Sequence, residues 1–364
     1  MAKRYFLTTL FVSLALIAAT YEFAWRLEPI SGRHSSTAGL TRIGSYAERD
    51  FGWNLEQEWF EPLLHHFGAY DHYYDMVVIG DSFANVGGGA QWQNFVANRT
   101  GWSILTLDVH KTPIAELLAM QVFRQSPPSI VVLNVVERDL DEFASSSAQC
   151  HAHNTGQPGM AKLPMRSLGV VPHKVERTGR IDWADINPGF VRGYLWNLLL
   201  RRVLGIDTTE ARKLFLNRHD LFSSRSTGEV LVYRVDARKA AWDTNMIARI
   251  RCGMIDIESR FRAAGVQQFV LAIAPDKSSA YRPWLVEPNQ VAVSRIREVS
   301  QGLNLGEAPL DLQLGQAIAS GMKDVYLPND THWGSAGHKL VAEAVLAALI
   351  EEPDGKIYQF GKIK

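Results

Sequence analysis

The chain has 364 residues, 46% of them apolar, which is enough to bury a full core and excludes a disordered or fibrous protein; the length admits one large domain or two ordinary ones. Lysine and arginine together number 38, as do aspartate and glutamate. No global field therefore recommends a nucleic acid or an anionic surface as partner, and a polyanion would have to be held by a local basic patch.

The first element is the segment Tyr5 to Trp25, YFLTTLFVSLALIAATYEFAW, which follows Lys3 and Arg4 and closes with aromatics and Arg26. Its uninterrupted apolar stretch ends near Thr20, slightly short of the roughly 20 residues that span a bilayer. Residues 1–26 thus read as a cleaved secretory signal or as an uncleaved signal anchor. Ala18-Ala19-Thr20 is a poor cleavage pattern, and Tyr21, Phe23 and Trp25 have the look of an interfacial aromatic belt, which favours the anchor. Lys3 and Arg4 then stay cytoplasmic and the remainder faces outward.

Residues 27–70 read as a juxtamembrane linker and lead-in, with SGRHSSTAG followed by Trp53, Trp59 and Phe60, and carry no recognisable chemistry. From Met76 a short apolar run, MVVIG, leads into DSFANVGGG and a helix around Ala90 to Asn98: strand, tight turn, helix. Further strands are expected at Ser103 to Val109, Ile130 to Val136 and Gln268 to Ala274, and helices at Pro113 to Arg124 and Asn245 to Ala264. Strands alternating with helices predict an α/β fold with a mostly parallel sheet covered on both faces. Residues 145–235 break the rhythm and read as an insertion that covers the active-site mouth or binds substrate. The last element is a helix from Ser335 to Glu351, with one apolar face. The core domain accordingly runs over 71–352, and 353–364 form a tail.

Two residues of one chemistry lie far apart in sequence. Gly80-Asp81-Ser82 stands where a buried strand turns into a helix, at the carboxyl edge where open parallel sheets bind ligands. A serine there points into the crevice, and the amides opening the helix face a developing oxyanion. The bland reading is helix capping by Asp81 or Ser82. The turn is not the GxSxG elbow, since Ala84 replaces the second glycine. Immediately before the final helix stands Leu327-Pro328-Asn329-Asp330-Thr331-His332-Trp333. A serine hydroxyl is a poor nucleophile until a base takes its proton, and an imidazole does so best when a carboxylate fixes its tautomer. Asp330 and His332, two apart on one loop, supply that pair, with Trp333 a packing or substrate-wall residue. Alone, Asp-Thr-His-Trp reads equally as a loop cap. Together with Ser82 it predicts a Ser82–His332–Asp330 triad.

With these motifs the chain resembles the SGNH-type hydrolases, and within them the bacterial exopolysaccharide O-acetyltransferases of the alginate and cellulose acetylation systems. The segments that carry the resemblance are VVIGDS, VVLNVVERDL, APDKSSAY and DTHWGSAGH, over residues 75–145 and 255–350. In the alginate enzymes the Asp-His motif precedes the serine; here the serine comes first, as in ordinary SGNH hydrolases. The spacing Asp-x-His, rather than Asp-x-x-His, follows the acetyltransferase branch. The resemblance implies an SGNH-like three-layer fold and acetyl transfer through an acyl-enzyme to hydroxyls of an extracellular polysaccharide. It also implies a periplasmic setting at the inner membrane, and a membrane-bound O-acyltransferase that relays the acetyl donor. Asn134 stands in for the illegible oxyanion block, Arg138 for a contact to an acyl oxygen or acidic sugar, and Lys277 and Tyr281 for substrate-side groups. Ion pairing with Glu137 or Asp139, and ordinary loop polarity, are the bland readings of Arg138 and of the last two.

No cofactor is called for. Cys150, His151 and His153 lie close together, but no second pair with zinc spacing follows and HExxH is absent, so no metal site is expected. Gly87-Gly88-Gly89 lacks the lysine and hydroxyl of a phosphate loop and reads as room for substrate beside Ser82. The two cysteines, Cys150 and Cys252, suit either one disulfide in an oxidising compartment or two separate buried thiols. Two other functions fit the same sequence: a carbohydrate esterase using the same triad with water as acceptor, and a non-catalytic polysaccharide-binding subunit that keeps the fold.

Overall fold

The structure, a computed structural model, describes residues 2–27, 39–86, 88–148, 150, 163–177, 188–303 and 305–349, without side chains at 20–27 and 188–191. Residues 28–38, Gly87, His151, His153, the tail 353–364 and the side chains of Thr20, Tyr21, Phe23 and Trp25 lie outside the described residues.

Helix α1 (Ala2–Leu27) is continuous, and its Ala2–Ala19 window is apolar and fully exposed, long enough to cross a membrane. Short helices α2 (Leu40–Gly44) and α3 (Glu48–Phe51) and short strands β1 (Gln57–Trp59) and β2 (His66–Phe67) follow. Then come β3 (Met76–Gly80), α4 (Ser82–Asn85), α5 (Trp92–Thr100), β4 (Ile104–Asp108), α6 (Ile114–Ala119), α7 (Gln121–Gln125) and β5 (Ile130–Val136). The insertion holds β6 (His173–Val175), α8 (Pro188–Leu199) and the hairpin β7 (Ala211–Phe215) with β8 (Glu229–Tyr233). The chain ends with α9 (Thr244–Ala263), β9 (Gln268–Ala274), α10 (Lys277–Tyr281), α11 (Ile296–Ser300), β10 (Gly306–Glu307), α12 (Leu310–Ala319) and α13 (Ser335–Leu349).

The central sheet has six strands in the order β10-β9-β5-β3-β4-β2, all parallel. Parallel strands are buried on both faces, and β3, β5 and β9 are buried at every residue. Alternate side chains divide between two cores. Met76, Val78, Val132 and Val270 pack with Trp92 of α5, Leu314 of α12 and Val345 of α13. Val77, Ile79, Leu133 and Leu271 pack on the other face with Leu117, Phe123 and Ile250 of α6, α7 and α9. This is the expected three-layer α/β arrangement. The longest flanking helix, α9, starts where Met246 N donates to the Asp243 carboxylate at 2.7 Å and carries Arg260 and Arg262 in its last turn, charges suited to each end of the dipole.

Three features extend or differ from the sequence expectation. The helix over 113–124 is two, because Met120 is extended (ψ 134°); Arg124 Nε then donates to the Leu118 carbonyl at 3.1 Å. The described part of the lead-in, 39–70, is folded onto the core and supplies the edge strand β2. The end of the insertion is core as well: Leu214, Leu216, Phe222, Val230 and Val232 pack into the first hydrophobic cluster. Cys150 and Cys252 form a disulfide with Cα atoms 5.1 Å apart, tying the start of the insertion to α9.

Candidate active site

The chain leaves β3 toward β4 on one side of the sheet and reaches β5 on the other, so the carboxyl end of β3 is a topological switch point, where a crevice opens. Ser82 is the second residue past that strand and the first of α4. Glycine is required at position 80, two residues earlier, since a Cβ there would stand 2.2 Å from the Asn134 carbonyl oxygen and 2.6 Å from Ala84 Cβ. Asp81 caps the turn. One carboxylate oxygen accepts from Phe83 N at 2.8 Å and the other from Val136 N at 2.6 Å, strapping the turn to the end of β5. Burial raises the Asp81 pKa, and these two amides and Arg138 oppose the shift.

His332 Nε2 lies 2.9 Å from Ser82 Oγ, and His332 Nδ1 lies 2.7 Å from Asp330 Oδ1. A carboxylate only accepts, so Nδ1 carries the proton and Nε2 is left to accept from the serine hydroxyl. The same Asp330 oxygen accepts from His332 N at 3.1 Å, which closes the Asp-x-His loop on itself. Asp330 and His332 are buried and Ser82 is half-buried. The imidazole rests against Phe83 (centroids 4.9 Å apart), the residue after Ser82. Trp333 is a packing residue, 2% exposed and edge-on to Phe83 at 4.8 Å.

The other sequence candidates gather around the triad without reaching Ser82 by hydrogen bonds. Asn134 is fully buried; its Oδ1 accepts from Trp92 Nε1 at 3.0 Å and its Nδ2 donates to the Ala272 carbonyl at 2.9 Å, so its amide links α5 to β9. Arg138 donates to Asp276 at 2.8 Å and to Asp236 at 3.4 Å, with Asp139 at 3.7 Å. Expected on the substrate side, Lys277 and Tyr281 are both 0% exposed. Lys277 Nζ donates to the carbonyls of Leu327, Pro328 and Asp330 at 2.7, 3.0 and 2.9 Å. It therefore clasps the loop that carries Asp330 and His332. Burial brings its pKa down to about 7, against the raising influence of Asp330, Asp324 and Asp236. Tyr281 stacks on Phe222 at 4.7 Å and meets Tyr326 edge-on. Gly88 and Gly89 are closed over: a Cβ on Gly88 would stand 2.5 Å from the Trp59 ring, and one on Gly89 2.4 Å from the Phe60 carbonyl oxygen and 2.6 Å from the Trp59 ring.

Several residues of the site have no counterpart among the sequence candidates. Asp276 and Glu137 hold the buried ammonium of Lys239 at 2.5 and 3.2 Å, and Glu137 also accepts from Ser279 Oγ and Arg295 N at 2.6 and 2.7 Å. With Arg138 and Asp236 this network joins the ends of β5 and β9 below the triad loop. Burial, with Asp236 beside it, brings Asp276 up to about 6, and Lys239 and Arg138 pull the other way. Glu48 of α3 accepts from Thr41 Oγ1 and from Asn329 Nδ2, the latter at 2.5 Å, and so fixes the residue before Asp330. Its burial brings its pKa up to about 7. The DK pair inside APDKSSAY was a legible signal for the first group. Nothing in the sequence around Glu48 marked it. Among the described residues no cluster of three or more His, Cys, Asp or Glu side chains is arranged to hold a metal ion.

A family model described as the SGNH hydrolase-like domain of the acetyltransferase AlgX matches residues 229–360. That stretch begins at β8 and contains β9, Lys277, Asp330, His332 and α13, but not Ser82. No curated protein and no solved structure matches the chain significantly.

Proposed function

We propose that the chain is a serine O-acetyltransferase acting on hydroxyls of an extracellular polysaccharide, a reading supported by the similarity of residues 229–360 to the SGNH hydrolase-like domain of the acetyltransferase AlgX. The observation that carries the reading is the continuous Ser82–His332–Asp330 hydrogen-bond chain at the switch point of the sheet.

Acyl transfer proceeds in two halves. His332 Nε2 takes the Ser82 proton as Oγ attacks the acyl carbonyl, and Asp330 stabilises the imidazolium. The amides of Phe83, Ala84 and Asn85 donate to Asp81, which leaves the amide of Ser82 itself for the oxyanion. The imidazolium returns its proton to the departing donor group, and Ser82 holds the acetyl ester. In the second half the same imidazole deprotonates a sugar hydroxyl, the hydroxyl oxygen attacks the ester, and the proton returns to Ser82. Lys277 acts in this reading as a positioning residue, holding the carbonyls of the triad loop.

The apolar exposed α1 suits membrane anchoring. An outward-facing enzyme has no direct access to cytoplasmic acyl donors, so a membrane-bound O-acyltransferase is the proposed relay of acetyl groups. The protein, offered a chromogenic acetyl ester with and without an oligosaccharide, separates transfer from hydrolysis. Acetylated oligosaccharide is expected; release of acetate alone in the presence of acceptor identifies an esterase instead.

A further inference from the structure

Helix α8 and the widened turn Leu200–Leu204 that continues it form one rod with two unlike faces. One face is bound to the body of the protein. Tyr194 is buried, Asn197 Nδ2 donates to Ser45 Oγ at 3.0 Å, and Arg201 donates to the carbonyls of Ser45 and Gly44 with its guanidinium 4.0 Å from the Tyr46 ring centroid. These three positions follow one another at helical spacing. On the opposite face Leu195, Trp196, Leu199 and Val203 are 49%, 58%, 51% and 67% exposed, and Arg192 and Arg202 stand exposed beside them.

The position of the rod says what covers this face. The residues it grips, Gly44 to Tyr46, are joined to α1 through 28–38, a connection that reaches at most about 40 Å when fully extended. Helix α1 also comes into contact with α3, which directly follows those residues. A bilayer crossed by α1 is therefore close to α8. The composition suits the same surface: leucine and tryptophan on one face, flanked by arginines that complement anionic headgroups, is the make-up of a helix lying at the lipid boundary. We infer that α8 is a second membrane contact, an interfacial helix lying in the headgroup and acyl boundary of the bilayer that α1 spans. This rests on α1 being retained as an anchor.

The contact has a direct structural connection to the triad. The segment under α8 continues into the stretch that holds the catalytic loop, where Thr41 N donates to the Asn329 carbonyl at 3.4 Å and Glu48 accepts from the Asn329 amide. A helix fixed in the lipid boundary thus sets the height and tilt of the Ser82 crevice over the membrane.

The test uses the full chain in nanodiscs containing phosphatidylethanolamine and phosphatidylglycerol, with a nitroxide attached in turn to Leu199→Cys, Val203→Cys, Phe11→Cys as the anchor reference, and the 82% exposed Val171→Cys as the water reference. Collision with oxygen, which concentrates in lipid, is compared with collision with a water-soluble nickel chelate. Labels at 199 and 203 are expected to favour oxygen, as at 11, and the label at 171 to favour nickel. Nickel-favouring labels at 199 and 203 with an oxygen-favouring label at 11 overturn the inference and leave the anchor standing. Labels at 199 and 203 shielded from both reagents overturn it too, since a protein surface or a second copy then covers the helix. A nickel-favouring label at 11 removes the anchor, and the inference with it.

Discussion

At Ser82 the hydroxyl and the imidazole are already 2.9 Å apart, so no rearrangement of the protein is needed to form the base–nucleophile contact. Replacing Asp330 by Asn keeps the volume but favours the wrong tautomer of His332; acetyl transfer should fall on the order of 10⁴-fold while the unfolding midpoint stays near that of the parent, measured by steady-state kinetics beside thermal denaturation. Lys277→Met is expected to act differently. It leaves three buried carbonyls without their donor, at about 1–3 kcal/mol each, so both stability and kcat should drop. An unchanged kcat in a stably folded Lys277→Met protein would remove its positioning role. Glu48 predicts a pH effect. Its folded pKa of about 7 lies above the ordinary carboxylate value, so the folded state holds a proton that the unfolded state has lost between about pH 4.5 and 7. The stability linked to this group is full below that window and is lost as pH rises through it. Relative to Glu48→Gln, the parent should therefore lose stability from pH 4.5 to 7.5 in denaturant titrations; parallel curves would exclude the linkage.

Among the elements, the strands were the most legible. β3, β5 and β9 are apolar runs broken only by Asn134 within β5 and Gln268 at the start of β9, and their sequence boundaries coincide with the observed ones because full burial on both faces admits few polar residues. The meeting of Ser82, His332 and Asp330 was legible for a related reason: the serine follows a strand end and the Asp-x-His precedes a helix start, so each motif is punctuated by its own local structure. What sequence missed was set by long-range contact. Lys277 looks like a polar loop residue until the carbonyls of 327–330, fifty residues on, are seen around it. Glu48 belongs to a stretch with no motif, and its role appears only when α3 meets Asn329. Asn134 lies mid-strand, and its partners are on α5 and β9. The disulfide was open in sequence because spacing alone cannot show that two cysteines meet. It closes a separation of 102 residues, for which the chain-entropy account gives about 4 to 5 kcal/mol. Cys252→Ser should lower the unfolding free energy by about that amount in chemical denaturation, and a loss below about 1 kcal/mol would mean the loop is already constrained without the bond.

Over the whole molecule, the order of parts is an apolar helix, a lead-in folded against the loop of Asp330 and His332, and a three-layer domain in which Ser82 and His332 meet from distant parts of the chain. The family match covers His332 and its loop but not Ser82, and the fold joins the two by bringing the loop before α13 over the end of β3. The central claim is that Ser82 carries the acyl group between donor and acceptor. It is tested most directly by mass spectrometry of the protein quenched early in reaction with an activated acetyl ester. One acetyl group on the peptide containing Ser82, absent from Ser82→Ala together with at least about 10³-fold of the transfer activity, is the predicted result. Acceptor acetylation continuing at the parental rate in a folded Ser82→Ala protein, or an acetyl group carried on a different residue, would contradict it.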